Sequence, residues 1–261
     1  MFRSLATAAS GMEAQQTKLD VTANNIANVS TNGFKKGRAE FSDLIYQQTR
    51  GAGSSTGQGT SAPAPTEIGL GVKLTSTARE HSQGELHSTG NQLDLAIQGK
   101  GFFPVTMPNG TTQYTRNGAL QMTAEGKLVT SEGYAIGGDI TIPTDAQSVT
   151  IAQDGTVTAT VASSSTPTTL GQIQLATFAN PGGLEAQGGN LFRETSASGT
   201  AVLGNPGDGG SGSISQGMLE VSNVNVVEEM VDLISGQRAY EVNSRVIKAA
   251  DEMLGETAQL H

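Results

Sequence analysis

The stretch Ala23-Asn24-Asn25-Ile26-Ala27-Asn28-Val29-Ser30-Thr31-Asn32-Gly33-Phe34 divides the chain, because a helical apolar period runs into it and stops among asparagines and a glycine. Upstream, Leu5, Met12, Leu19 and Ile26 recur at seven residues, with Ala8, Gln15, Thr22 and Val29 three places after each. That spacing predicts an a/d heptad helix. The seam is narrow and half polar, whereas a surface helix of a globular domain carries a wider apolar stripe. It is expected to pack along a few parallel helices instead of covering a large core. Asn28, Asn32 and Gly33 supply the residues that best tolerate the left-handed backbone with which helices end.

Composition limits what lies beyond that joint. Of 261 residues only 36% are hydrophobic and 4% aromatic, with no Trp and 34 glycines, which predicts a small core in a turn-rich β protein. A net charge of -9 argues against nucleic acid, whose phosphates demand a basic face. There is no basic amphipathic helix suited to an anionic membrane. No apolar run approaches the roughly 18 to 20 residues of a membrane span, so a soluble chain without membrane insertion is expected. Absence of Cys excludes disulfides, thiolate metal sites and a cysteine nucleophile. Gly11 and Glu13 end the first apolar block before a secretory core is complete, so if the chain leaves the cytoplasm it is expected to do so without a cleaved signal peptide.

After Phe34, Lys35-Lys36-Gly37-Arg38 leads into Ala39 to Tyr46, read as a short extended arm or another helical turn. Gln47 to Pro65 has linker composition, expected to be disordered or ordered only by a neighbour. From Glu67 to about Gly217 short extended segments alternate with turn signals, as in an all-β sandwich or barrel. Pro108-Asn109-Gly110, Glu125-Gly126 and Asp154-Gly155 mark hairpins. Gln92 to Ile97 alternates, which would turn Asp94 away from the core. A second heptad closes the chain: Val226, Leu233, Tyr240, Ile247 and Leu254, with Asn223 or Asn225 as cap and Glu228 and Glu229 in the dipole-favoured first turn. The two ends are expected to pair, since lone helices are marginal in water.

Little in the chain suggests chemistry. Gly53-Ser54-Ser55-Thr56-Gly57 has the letters of a nucleophile elbow without its strand and helix context, and Gly99-Lys100-Gly101 lacks the helix of a phosphate loop. His81, Glu85 and His87 flank a turn and read as exposed polar residues, not metal ligands; His261 reads as solvated. Lys35-Lys36-Gly37-Arg38 reads as a solvated flank. Asp20 is placed for a cross-helix pair, and no two carboxylates sit in an acid/base context. The expectation is no enzyme, no cofactor and no metal. Leftover polar seam positions, Gln15, Thr22, Gln237 and Ser244, suit contacts that fix register between copies.

Three blocks carry a resemblance. Asn24, Asn25, Asn28, Asn32, Gly33 and Phe34 sit in a segment that resembles the N-terminal signature of bacterial flagellar rod and hook proteins. The central block, Asp94-Leu95-Ala96-Ile97-Gln98-Gly99-Lys100-Gly101-Phe102-Phe103 followed by Tyr114-Thr115-Arg116-Asn117-Gly118, is similar to that family's middle motif. Ser222 to Met230, with Gln237-Arg238-Ala239-Tyr240-Glu241 and Asp251-Glu252-Met253-Leu254, is similar to its C-terminal motif. Within the family, the length, the insert after Tyr46 and the Gln237 to Glu241 block look most like a distal rod subunit; proximal rod and hook-type subunits are the alternatives.

The resemblance implies a structural axial subunit, exported by the flagellar type III apparatus and polymerised with itself into a hollow helical rod crossing the periplasm of the basal body. It implies contacts with other rod and hook subunits and with surrounding rings. The expected architecture is α+β: paired, coiled-coil-like terminal helices (1–32 with 224–261) bracketing a mostly antiparallel β body (67–217), with an arm and insert at 33–66 and a return link at 218–223. The polymerisation helices are expected to act through Leu5, Met12, Leu19, Ile26, Val226, Leu233, Tyr240, Ile247 and Leu254. A β-sandwich binding module, for instance for carbohydrate, is the reading from another class; the scarcity of aromatics weighs against it.

Overall fold

The computed structural model describes residues 2–57, 60–61, 63–136, 140–161 and 164–259. His261 lies outside the described residues, and Leu254 is described only as helix backbone. The architecture is α+β, with one helix near each end and a mostly antiparallel β body. The chain divides into two compact units: 1–27 with 37–78 and 225–261, and 28–36 with 79–224.

The first unit holds α1 (Phe2–Ala27) and α2 (Val226–Gln259). They run antiparallel, since Asn25 meets Glu229, Leu19 lies against Gly236 and Asn243 lies against Gly11. Asn225 caps α2 by accepting the Val227 N–H at 3.1 Å, satisfying one of the orphan donors of a helix start. Asn223, the other candidate cap, instead accepts the Lys36 N–H and donates to Glu80 O within the second unit. The arm after Gly37 is extended: strand Gly37–Asp43 pairs with Val72–Arg79. The described part of the insert pairs as a ribbon, which its composition does not announce. Tyr46–Arg50 pairs antiparallel with Thr66–Gly69, and Ser55–Gly57 with Thr60–Ser61. All five residues of Tyr46–Arg50 are exposed, so backbone pairing and not burial forms this ribbon.

In the second unit a seven-stranded antiparallel sheet runs Leu120–Met122, Leu128–Thr130, Ala135–Ile136, Phe103–Thr106, Thr112–Thr115, Leu191–Arg193, Glu185–Gly188. A three-stranded sheet spans Ala146–Ile151, Thr156–Val161 and Ser164–Gln172. Three two-stranded pairs are also formed among the described residues of the unit, including Leu95–Gln98 with Ser213–Gln216 and Leu86–Ser88 with Met218–Glu220. The last of these puts a strand where a return link was expected.

The three hairpin signals all form. At each, the turn glycine takes positive φ, +81° to +82°, and the same two bonds recur: Met107 N–H to Thr111 O and Gly110 N–H to Met107 O, both 2.9 Å, have counterparts at Thr123/Lys127 and Ala152/Thr156. This is the three-residue loop in which a left-handed glycine relieves the turn's strain.

The main core gathers Leu95, Ile97, Phe103, Val105, Leu128, Ile136, Ile173, Leu175 and Ile214, all at most 1% exposed. A second, aromatic core holds Phe102, Tyr114, Leu184 and Phe192. Adjacent Phe102 and Phe103 serve different cores because successive side chains leave opposite faces of an extended chain. The alternation read over Gln92 to Ile97 needs correction. Leu95, Ala96 and Ile97 are all wholly buried, and Asp94 is buried too. Its carboxylate accepts from the Thr89 hydroxyl at 2.6 Å and the Asn91 amide at 3.1 Å, which is how a buried acid is tolerated.

Candidate assembly helices and a buried charge node

Between α1 and α2, Leu19 meets Gly236, Asn243 meets Gly11 and Asn25 meets Glu229; the most buried residues of both helices are small or polar. Ala8, Ala14, Thr22 and Asn25 on α1, and Glu229, Gly236 and Ala250 on α2, are the buried ones. A Cβ placed on Gly236 would stand 3.0 Å from Leu19 Cδ2, so the two helices meet closely where Leu19 lies over the glycine. Heptad residues Leu5, Met12, Leu19, Ile26, Leu233 and Ile247 are only partly buried, and Val226 and Tyr240 are exposed. At one end of the pair, Asn25 Nδ2 donates to Glu229 Oε2 at 3.1 Å and to Gly37 O at 2.9 Å, while its Oδ1 accepts the Gly37 N–H at 2.8 Å. The cross-helix ion pair is Lys18–Asp232, 2.9 Å and half exposed, not one from Asp20, which is exposed. Such a pair adds little stability.

One face of α2 stays uncovered within this unit. Val227, Val231, Ile234 and Val242 are 70%, 62%, 47% and 58% exposed, at the spacing that aligns residues along a single helical stripe. Arg238 continues that spacing, and Gln237, Arg238 and Glu241 are exposed alongside it.

The second unit contains a node that sequence reading did not find. Glu220 is fully buried on strand Met218–Glu220. Its Oε1 accepts from Lys35 Nζ at 2.5 Å and the Gly84 N–H at 2.9 Å; its Oε2 accepts from Arg116 Nε at 2.5 Å. Its backbone carbonyl accepts the Gly33 N–H at 2.8 Å. Arg116 also donates to the carbonyls of Gly101, Gly99 and Ile97, at 2.5, 2.6 and 3.1 Å. Lys35 donates to Ser82 O at 2.6 Å. Burial lowers the Lys35 pKa, and the attraction of Glu220 opposes that shift. Lys35 is therefore not part of a solvated flank: only Lys36 and Arg38 of that cluster reach solvent. Between Leu219 and Val221 the sequence gives Glu220 the look of an ordinary outward strand position; only the arrival of two distant cations marks it.

The signature residues that belong to this unit lie at or near the node. Gly33 has φ +71°, and a Cβ there would lie 2.7 Å from the backbone of Arg116 and Asn117. Asn32 O accepts from Asn190 Nδ2 at 3.1 Å, and the Thr31 hydroxyl donates to Asn28 Oδ1 at 3.2 Å. Phe34 is buried with the Arg79 guanidinium over its ring. Asn24 is exposed on α1. Gly99 and Gly101 turn their carbonyls to Arg116, so the loop that has the letters of a phosphate cradle holds a guanidinium. Thus the first and middle blocks meet at the strand that precedes the third.

His81 also needs correction. It is not an exposed turn residue but packs edge-on against Phe102 and Phe192 at 5.6 and 5.5 Å. Burial, then Lys35, Arg79 and Arg116, push its pKa down to about 4. His87 is exposed on strand Leu86–Ser88. The described residues contain no group of three His, Asp or Glu side chains placed to share a metal. None of the described helices is long and apolar enough to cross a membrane.

Comparison with known proteins follows the same three blocks. The family described as Flagella basal body rod protein matches residues 5–35, the Flagellar hook protein FlgE/F/G D1 domain matches 96–159, and the Flagellar basal body rod FlgEFG protein C-terminal matches 215–260. The flagellar basal-body rod protein FlgG of Caulobacter vibrioides is 50% identical over 260 residues, covering 99% of both chains. FlgG of Bacillus subtilis is 45% identical over 265 residues, covering 100% of this chain and 99% of its own. FlhP of the same Bacillus, a flagellar hook-basal body complex protein, is 32% identical over 268 residues, covering 98% of each. Matched at both ends and in the middle, and more similar to FlgG than to FlhP over its whole length, the chain belongs to the flagellar basal-body rod family.

Proposed function

We propose that the chain is a structural axial subunit of the distal flagellar rod, which polymerises through its terminal helices into a hollow helical shaft that carries torque from motor to hook. The observation that carries this reading is the uncovered stripe of α2. Contiguous apolar surface left in water usually marks a surface awaiting a partner, and Val227, Met230, Val231 and Ile234 form such a patch on a helix of 34 residues, with Val242 beyond Arg238. Within the unit these side chains of α2 stay in water and are free to meet neighbouring copies.

In the polymer, the heptad residues Leu5, Met12, Leu19 and Ile26 with Val226, Leu233, Tyr240, Ile247 and Leu254 pack in coiled-coil fashion among copies. Gln237, Arg238 and Glu241 supply polar contacts that fix register. The partners in this reading are other rod and hook subunits, the rings around the rod, and the type III export apparatus that delivers the chain across the cytoplasmic membrane to the periplasm.

The test is the full-length double variant Val231→Asp/Ile234→Asp. It should keep wild-type helical circular dichroism and remain monomeric, with no filaments by electron microscopy at concentrations where the wild type assembles. Filaments formed as readily as by the wild type would overturn the reading.

A further inference from the structure

A cavity of about 310 Å³ lies within the β unit, beside the charge node and lined among others by Lys35, His81, Lys100, Phe102, Arg116 and Pro181. Its charge is one-sided. Lys35 and Arg116 share the single carboxylate of Glu220, Lys100 adds a third cation, and among the described residues no Asp or Glu lines the walls. Lys35 has three N–H donors, of which its bonds to Glu220 and Ser82 O use two. Both ring nitrogens of His81 are buried without a hydrogen-bond partner; the Pro181 backbone nearby favours the protonated ring only weakly, short of a formed bond. Leaving buried donors unmatched is costly.

We propose that this cavity is a carboxylate-binding site, taking a monocarboxylate carried on a small apolar or aromatic body. The inference is independent of the assembly reading. A carboxylate supplies the missing negative charge, and its two oxygens accept from the imidazole N–H and from Lys35. Phe102, Pro181 and the His81 ring edge give the attached body an apolar wall. Inorganic phosphate fits poorly, because that wall would strip water from a dianion and return few hydrogen bonds. The volume is at the low end of small-molecule sites, so the occupant is small. The same chemistry has two sources: a free organic acid, or an acidic side chain of a second copy of this chain, whose 24 Asp and Glu outnumber its 15 Lys and Arg.

The test uses the full-length chain, labelled in its histidine rings, kept unassembled and followed by NMR with benzoate, benzamide and inorganic phosphate as probes. Benzoate is expected to shift the His81 signals saturably while exposed His87 stays put, and to bind at least about tenfold more tightly than benzamide, a difference of about 1.4 kcal/mol. Saturating benzoate should raise the His81 pKa from about 4, because a neighbouring carboxylate favours imidazolium. His81→Phe should abolish binding as read from the benzoate signals. No saturable His81 shift, benzamide binding as well as benzoate, or phosphate binding better than either would overturn the proposal. A second arm separates the sources. In sedimented polymer with no added acid, His81 already shifted identifies a carboxylate of another copy, whereas His81 unshifted but still responsive to benzoate identifies a free acid. Because the first arm needs no polymer, failure of assembly and failure of this site are told apart.

Discussion

Lys35 and Glu220 lie 185 residues apart in the chain and meet as a 2.5 Å ion pair whose side chains are 1% and 0% exposed. Arg116 takes the other carboxylate oxygen. Removing the anion leaves two buried cations facing each other. Glu220→Ala should therefore cost about 3–5 kcal/mol, whereas Lys35→Met, which leaves Arg116 on Glu220, should cost less. Chemical denaturation followed by tyrosine fluorescence measures both; equal losses would show that the node is not organised around the carboxylate.

Gly33 and Gly236 illustrate two different reasons for a glycine. At Gly33 the left-handed backbone alone costs a side chain about 1–2 kcal/mol, and the Arg116–Asn117 backbone at 2.7 Å cannot yield easily. Gly33→Ala should lower the melting temperature of the β unit clearly. At Gly236 the neighbour is the flexible end of Leu19, and Ala gains about 1 kcal/mol of helix propensity. Gly236→Ala should be near neutral while Gly236→Leu forces α1 and α2 apart. Thermal melts of the three variants check the order.

His81 sets a pH dependence. Its folded pKa, about 4, lies below the ordinary 6.5, so between those values the unfolded chain binds more protons than the folded one. Stability should fall as pH drops through that window, by up to about 1.4 kcal/mol per unit for this group, and be insensitive to it above. Denaturation midpoints measured across the window should flatten in His81→Phe; an unchanged slope would place the titration elsewhere.

The ribbon of Tyr46–Arg50 and Thr66–Gly69 has its first strand wholly exposed, and a two-stranded ribbon without a buried face is marginal alone. Its amides should exchange rapidly in unassembled chain and slowly in polymer. Equal protection in both states would show that the ribbon is stable without neighbours.

Testing the helices by truncation requires care that only the structure reveals. Removing residues 1 to 32 would take Asn28 to Asn32 out of the β unit, to which 28–36 belongs. A deletion ending at Ala27 should leave the β unit's cooperative unfolding intact and abolish filaments. Loss of that unfolding transition would show that the β unit depends on α1.

Local signals were legible in the sequence because they act locally. Heptad spacing gave both helices, Asn225 stands at the cap, and Asn-Gly, Glu-Gly and Asp-Gly gave three hairpins whose glycines take the left-handed backbone. The strand pairing inside the Gln47 to Pro65 insert was not legible because a ribbon held by backbone bonds needs no apolar period. Lys35 and His81 were misread because polar residues beside turns look solvated until distant groups, Glu220 for one and the Phe102 and Phe192 rings for the other, account for their burial; Asp94 was misread because alternation does not show that nearby Thr89 and Asn91 take its carboxylate. By itself, then, the sequence determined the helical ends, the turn-rich antiparallel middle and the family. Only the tertiary structure decided that Glu220 gathers Lys35, Arg116 and Gly84, and that a cation-lined cavity adjoins them, because burial of charge depends on contacts made across 185 residues of chain and leaves no local period to read.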